Sequence, residues 1–106
     1  MQNRDYYLSM VNHPIDIDRI AYICHSNDVS VMWIFGSAAR GEAREDSDID
    51  LLVRFTRRKS LLALVKLGRE LSEELGRKVD LLTEASVSPY LRDQVMADLR
   101  VVYEAR

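Results

Sequence analysis

Three short runs of β-branched and aliphatic residues constrain this chain most: VSVMWIF (29–35), DIDLLVRF (48–55) and KVDLLT (78–83). Runs of this length, bounded by Gly, Asn and Asp, read as strands. Helical patterns alternate with them. Ile17, Ile20, Ala21 and Cys24 recur at helical spacing, so 14–27 reads as an amphipathic helix, with Pro14 at its first position and Asn27-Asp28 at its end. A second long helix spans 61–75, with Leu61, Leu64, Val65, Gly68, Leu71 and Leu75 near one stripe and Gly76 as its C-terminal cap. Ser88-Pro89 opens a last helix carrying Leu91, Val95 and Leu99, and Val101–Tyr103 adds a short edge strand. The small, polar stretch 37–47 reads as a turn with one short helix ending at Gly41. The order is α-β-(α)-β-α-β-α. The expected class is α/β (α+β): a small mixed sheet with helices packed against it.

A length of 106 residues suggests one domain, here 14–106, preceded by a tail over 1–13 that holds Tyr6 and Tyr7. The chain is 47% apolar and 30% charged, ordinary for a globular protein. Its net charge of −2 gives no general pull toward nucleic acid or anionic membrane. The basic run Arg57-Arg58-Lys59 reads as a solvated loop. The single cysteine, Cys24, excludes an internal disulfide and falls on an apolar helix face as a small core residue. The first ten residues lack the apolar core of a signal peptide, and no apolar run is long enough to span a bilayer. A cytoplasmic protein fits these features. Trp33, Phe35, Tyr90 and Tyr103 are expected to pack in the interior, and neither His13 nor His25 is expected to act as a ligand.

The acids of the second and third runs pose a chemical question. Side chains alternate along a strand. Ile49, Leu51, Val53 and Phe55 therefore share one face, and Asp48 and Asp50 share the other with Leu52 and Arg54. A buried, unpaired carboxylate is very costly, so a cation should compensate these acids. Residues two apart on a strand lie about 6.6 Å apart, and their carboxylates can converge on an ion between them. With Asp80 on the third strand they would form an open oxygen site of the kind Mg²⁺ shares with phosphates. Such a site can hold a pair of ions about 3.5–4 Å apart. Asp48 and Asp50 could equally sit partly solvated at a strand entrance with no role. Gly36-Ser37 after the first strand bears on this choice. A glycine there lets the backbone approach a ligand, and amides at the following turn suit a phosphate.

Gly36-Ser37, ten residues, then Asp48-Ile49-Asp50 resembles the signature of the polymerase-β-type nucleotidyltransferase superfamily. The stretch FGSAARGEAREDSDIDLLV resembles its small MNT-type members, the minimal nucleotidyltransferases, and GRKVDLLT resembles their third-carboxylate strand. The likeness spans about residues 15–103 and implies the nucleotidyltransferase fold. It further implies that Gly36 and Ser37 hold a nucleoside triphosphate, that Asp48 and Asp50 bind two Mg²⁺ ions, and that Asp80 completes the metal site and helps deprotonate the acceptor. Arg40, Glu42 and Ser47 also fit the family pattern. Arg40 could approach the phosphates or pair with Glu42 or Glu45. Ser47 is expected to orient the backbone before the second strand.

Larger enzymes of that superfamily carry extra domains that grip the acceptor. A chain this short is expected to have its acceptor presented by a partner or a second subunit. MNT-type proteins are commonly the antitoxins of HEPN-type RNase toxins. The resemblance therefore implies an ATP- and Mg²⁺-dependent protein adenylyltransferase that adds AMP to a toxin hydroxyl, a tyrosine in the resembling systems, within a hetero-oligomer and without direct contact to nucleic acid or membrane. Two other readings stay open: an antitoxin acting by contact alone, and nucleotidyl transfer to a small molecule such as an aminoglycoside.

Overall fold

A computed structural model describes residues 16–42, 44 and 46–105. Its elements run α1 (Ile17–Ser26), β1 (Val29–Phe35), α2 (Gly36–Ala39), β2 (Ile49–Phe55), α3 (Leu61–Leu75), β3 (Val79–Thr83), a 3₁₀ turn (Glu84–Ser86), α4 (Arg92–Asp98) and β4 (Arg100–Glu104). The four strands form one mixed sheet in the order β3-β2-β1-β4. β1 pairs antiparallel with both β2 and β4, and β2 pairs parallel with β3. The parallel pair needs a crossover, and α3 supplies it. The α/β class and the mixed sheet follow the expectation from sequence.

Local chemistry sets the element ends. Asp16 caps α1: its carboxylate accepts from the Asp18 and Arg19 amides at 3.0 and 3.2 Å. Pro14, His13, Tyr6, Tyr7 and the expected tail lie outside the described residues. Asp28 follows α1 with φ 61°, a left-handed value that Asp tolerates better than most residues. Lys59 and Arg57 both pair with its carboxylate, at 2.6 and 3.0 Å. Two members of the basic run therefore fasten the loop after β2 to the turn before β1. The Lys59 bond, helped by Arg57, holds the Asp28 carboxyl below the usual range. The Ser60 hydroxyl accepts from the Ala63 amide at the start of α3, and Gly76 ends that helix at φ 67°.

The alternation of side chains divides the interior in two. On one face, Met32, Ile34, Ile49, Leu51 and Val53 pack under α1 and α3 with Ile20, Ile23, Cys24, Leu67, Leu71 and Leu75. On the other, Phe35, Leu52, Val87 and Val95 form a smaller cluster, with Trp33, Leu82 and Leu99 against it. Cys24 and Tyr103 are buried as expected. Tyr90 is 96% exposed, against the expectation that it packs. The expected stripe of α3 is also corrected. Leu61 and Val65 stand in solvent, and Leu67 is buried in their place. The last helix begins at Arg92 rather than at Ser88, because Ser88 closes a turn instead: its carbonyl accepts from the Leu91 amide and its hydroxyl from the Tyr90 amide. Among the described residues no helix is long and apolar enough to cross a membrane.

Candidate active site

Register brings the motif residues together. Phe35, the last residue of β1, sits opposite Asp50 on β2, and Asp50 sits beside Asp80 on β3. Gly36 is therefore next to Asp50, although thirteen residues separate them in the chain. Gly36 has φ +71°, a left-handed value that favours glycine. A Cβ built there would lie 2.4 Å from Oδ2 of Asp50, inside any tolerable contact. The glycine thus lets the backbone turn and leaves space for the carboxylate. The short helix α2 starts at this residue, and no side chain caps its first turn.

Asp50 shares the Leu52 face of the sheet, toward α4. It is half-buried and makes no hydrogen bond or ion pair among the described residues. Burial raises its carboxyl above the ordinary range, repulsion from Asp80 and then Asp48 adds to the rise, and Arg40 partly offsets it. Asp80 is exposed. Asp48 is exposed too and precedes β2, which begins at Ile49, so only one of the two paired acids lies within the strand. The cation beside Asp48 is Lys78, with Nζ 3.6 Å from Oδ2.

Among the described residues, no three His, Cys, Asp or Glu side chains gather as a ready metal cluster. Of the three expected ligands, Asp50 and Asp80 stand side by side on neighbouring strands and Asp48 pairs with Lys78. The donor chemistry still suits a hard divalent cation. The acids offer oxygen alone, and a half-buried carboxylate repelled by two others is only partly compensated, by Arg40.

A cleft of about 340 Å³ opens beside Asp50, lined by Phe35, Gly36, Ser37, Arg40, Asp50, Leu91, Gln94, Val95 and Asp98. Arg40 spans it. Its guanidinium donates to Glu42 at 3.3 Å and to Asp98 at 2.5 Å. Glu45, the other acid expected near Arg40, lies outside the described residues. Ser47 sits at the neighbouring loop rather than in the cleft. Its hydroxyl accepts from the Arg44 amide at 3.0 Å and closes a turn, and Arg77 donates to the carbonyls of Arg44 and Ser47. Sequence reasoning misses Lys78, Gln94 and Asp98. For the last two, a signal was present in their four-residue spacing, which puts them on one face of a helix.

A family model described as polymerase beta, nucleotidyltransferase, matches residues 18–106. The chain belongs to this family and is a nucleotidyltransferase. Among its relatives is the protein adenylyltransferase MntA of Thermococcus cleftensis, 43% identical over 75 residues that cover 71% of this chain and 74% of the relative. A protein of Methanocaldococcus jannaschii, provisionally named a protein adenylyltransferase, is 56% identical over 63 residues, 59% of this chain and 68% of its own. A solved toxin–antitoxin structure with AMP-PNP superimposes with a TM-score of 0.71 at 24% identity, over 87% of this chain and 76% of that one. At that identity the likeness is one of fold.

Proposed function

We propose that this chain is a protein adenylyltransferase antitoxin, moving AMP from ATP to a hydroxyl, a tyrosine, of a HEPN-type partner toxin in the cytoplasm. The observation that carries this reading is Asp50: a half-buried carboxylate without a partner, seated beside Asp80 and against a glycine that leaves it room. A carboxylate held this way costs stability, and a cation that arrives with substrate repays it. The names of the relatives and the toxin–antitoxin fold neighbour support the same reading.

In this reading Gly36 and Ser37 cradle the triphosphate with backbone amides and a hydroxyl. Arg40 lies across the cleft and supplies positive charge to the phosphates. Asp50, Asp80 and Asp48 would hold Mg²⁺, as one or two ions, which when bound neutralises phosphate charge and lowers the pKa of the acceptor hydroxyl. The acceptor oxygen bonds to the α-phosphorus, the bond from that phosphorus to pyrophosphate breaks, and Asp80 takes the hydroxyl proton. Ser47 acts at a distance by fixing the turn that leads into β2. An AMP group on the toxin adds bulk and negative charge, which would repel RNA.

The test is the intact mass of the partner toxin after incubation with this chain, ATP and Mg²⁺, beside the Asp48→Asn/Asp50→Asn variant. Increments of one or more AMP with the wild type alone are expected. The Asp48–Lys78 pair, which engages one expected ligand, is the observation behind a second reading, neutralisation by contact alone. An unmodified toxin, neutralised equally by the double variant, would establish that reading instead.

A further inference from the structure

The cleft beside Asp50 has two unlike walls. One is the Gly36-Ser37 turn with Asp50, polar and at the end of the two central strands, β1 and β2. The other is the face of α4 that carries Gln94 and Asp98, together with Leu91 at its N-cap. Asp98 is bonded to Arg40 across the gap, which ties the end of α4 to the turn. The pair is placed against the local preference, since an acid in the last helical turn opposes the helix dipole. Gln94 lies one turn back from Asp98, and Leu91 about one turn farther. Passing from Asp98 to Leu91, the wall therefore runs from charge to neutral amide to hydrocarbon, away from the turn. Leu91 is 54% exposed, and the Gln94 amide has no partner among the described residues.

We infer that this face of α4 is the nucleobase subsite, with Leu91 as the apolar platform and Gln94 as the residue that selects adenine. The inference rests on the reading of the cleft as a triphosphate site. A base is a flat, uncharged ring with a hydrogen-bonding edge, and the wall offers an exposed aliphatic side chain beside one free donor and acceptor. A carboxamide matches adenine through a bidentate pair, giving its N–H to a ring nitrogen and accepting from the exocyclic amine. Guanine presents a carbonyl where adenine has the amine, so the same pair cannot form without turning the amide.

The test measures competition by ATP, GTP, CTP, UTP and tripolyphosphate against a fluorescent ATP analogue, with Mg²⁺, for the wild type, Gln94→Ala and Leu91→Ala, after thermal melts confirm that each variant is folded. The wild type is expected to prefer ATP over GTP, and Gln94→Ala to lose about tenfold of that preference. Leu91→Ala is expected to weaken all four nucleotides together. A wild-type preference for ATP that survives in Gln94→Ala overturns the inference and leaves the proposed function standing. So does tripolyphosphate binding as tightly as ATP. A wild type that binds neither nucleotide nor tripolyphosphate overturns the proposed function itself, and the subsite with it.

Discussion

Replacing Gly36 with alanine separates backbone strain from interference with the acid. The residue has φ +71°, where an L side chain costs about 1–2 kcal/mol. The loss of chain freedom in the unfolded state returns about 0.4–1 kcal/mol. A net loss of about 1 kcal/mol corresponds to a fall of about 4–8 °C in Tm for a domain of this size. The added Cβ would also sit 2.4 Å from Oδ2 of Asp50, whereas real Cβ contacts stay above 3.0 Å, so the carboxylate must retreat by about 0.6 Å. A misplacement of 1 Å can cost about a hundredfold in rate, so roughly a tenfold loss is expected here. Gly76 is the control. It has nearly the same backbone, φ +67°, but ends α3 in an exposed position. Gly76→Ala should lose comparable stability and keep its rate. Melts by circular dichroism and AMP transfer to the proposed toxin partner, assayed well below both midpoints, check this. If folded Gly36→Ala transfers as fast as Gly76→Ala, the account of Gly36 as space for Asp50 is refuted.

Asp50→Asn should melt higher than the wild type at neutral pH while losing transfer. The raised carboxyl of Asp50 takes up its proton more readily folded than unfolded. Its penalty is therefore full above the folded pKa, and the advantage of the variant should shrink as pH falls through that pKa toward the unfolded one; a constant gap across the acid range would contradict this. Asp28 has the opposite sign. Its lowered carboxyl contributes stability at neutral pH that is lost as pH falls through the folded pKa, so Asp28→Asn should lower the midpoint at pH 7 and have little effect in strong acid, as melts across pH can show. Leu67→Ala should cost about 2–5 kcal/mol in urea unfolding, against about 0.5 kcal/mol or less for exposed Leu62→Ala.

Local chemistry made much of the fold legible. Helix α3 runs from Leu61 to Leu75 as expected, because Ser60 and Gly76 mark its ends through their own hydrogen bonding and backbone. Its buried face was less legible. Leu61, Leu62, Leu64, Val65 and Leu67 put an apolar residue on nearly every side of the first two turns, so periodicity alone cannot choose a stripe; packing against the sheet chooses Leu67, Leu71 and Leu75. At the site, the Gly-Ser turn and the acids are readable from spacing. The contact of Gly36 with Asp50 depends on strand register, and the α4 wall depends on where the chain returns after β3. Neither is written in any local window. Of the two placements open for Asp48, within the strand or partly solvated at its entrance, the structure takes the second: it lies exposed just before the strand.

Cys24 gives the molecule a clock. It is the single thiol of the chain, fully buried at the junction of α1 and the sheet, with its Sγ 3.9 Å from the Met32 sulfur. Burial pushes the thiol up to about 12, so the reactive thiolate is nearly absent while the core is closed. A thiol reagent can therefore modify the protein only as fast as α1 lifts from the sheet. The alkylation rate in native buffer reads how often this half of the core opens, and a partner or nucleotide that steadies the fold must slow it.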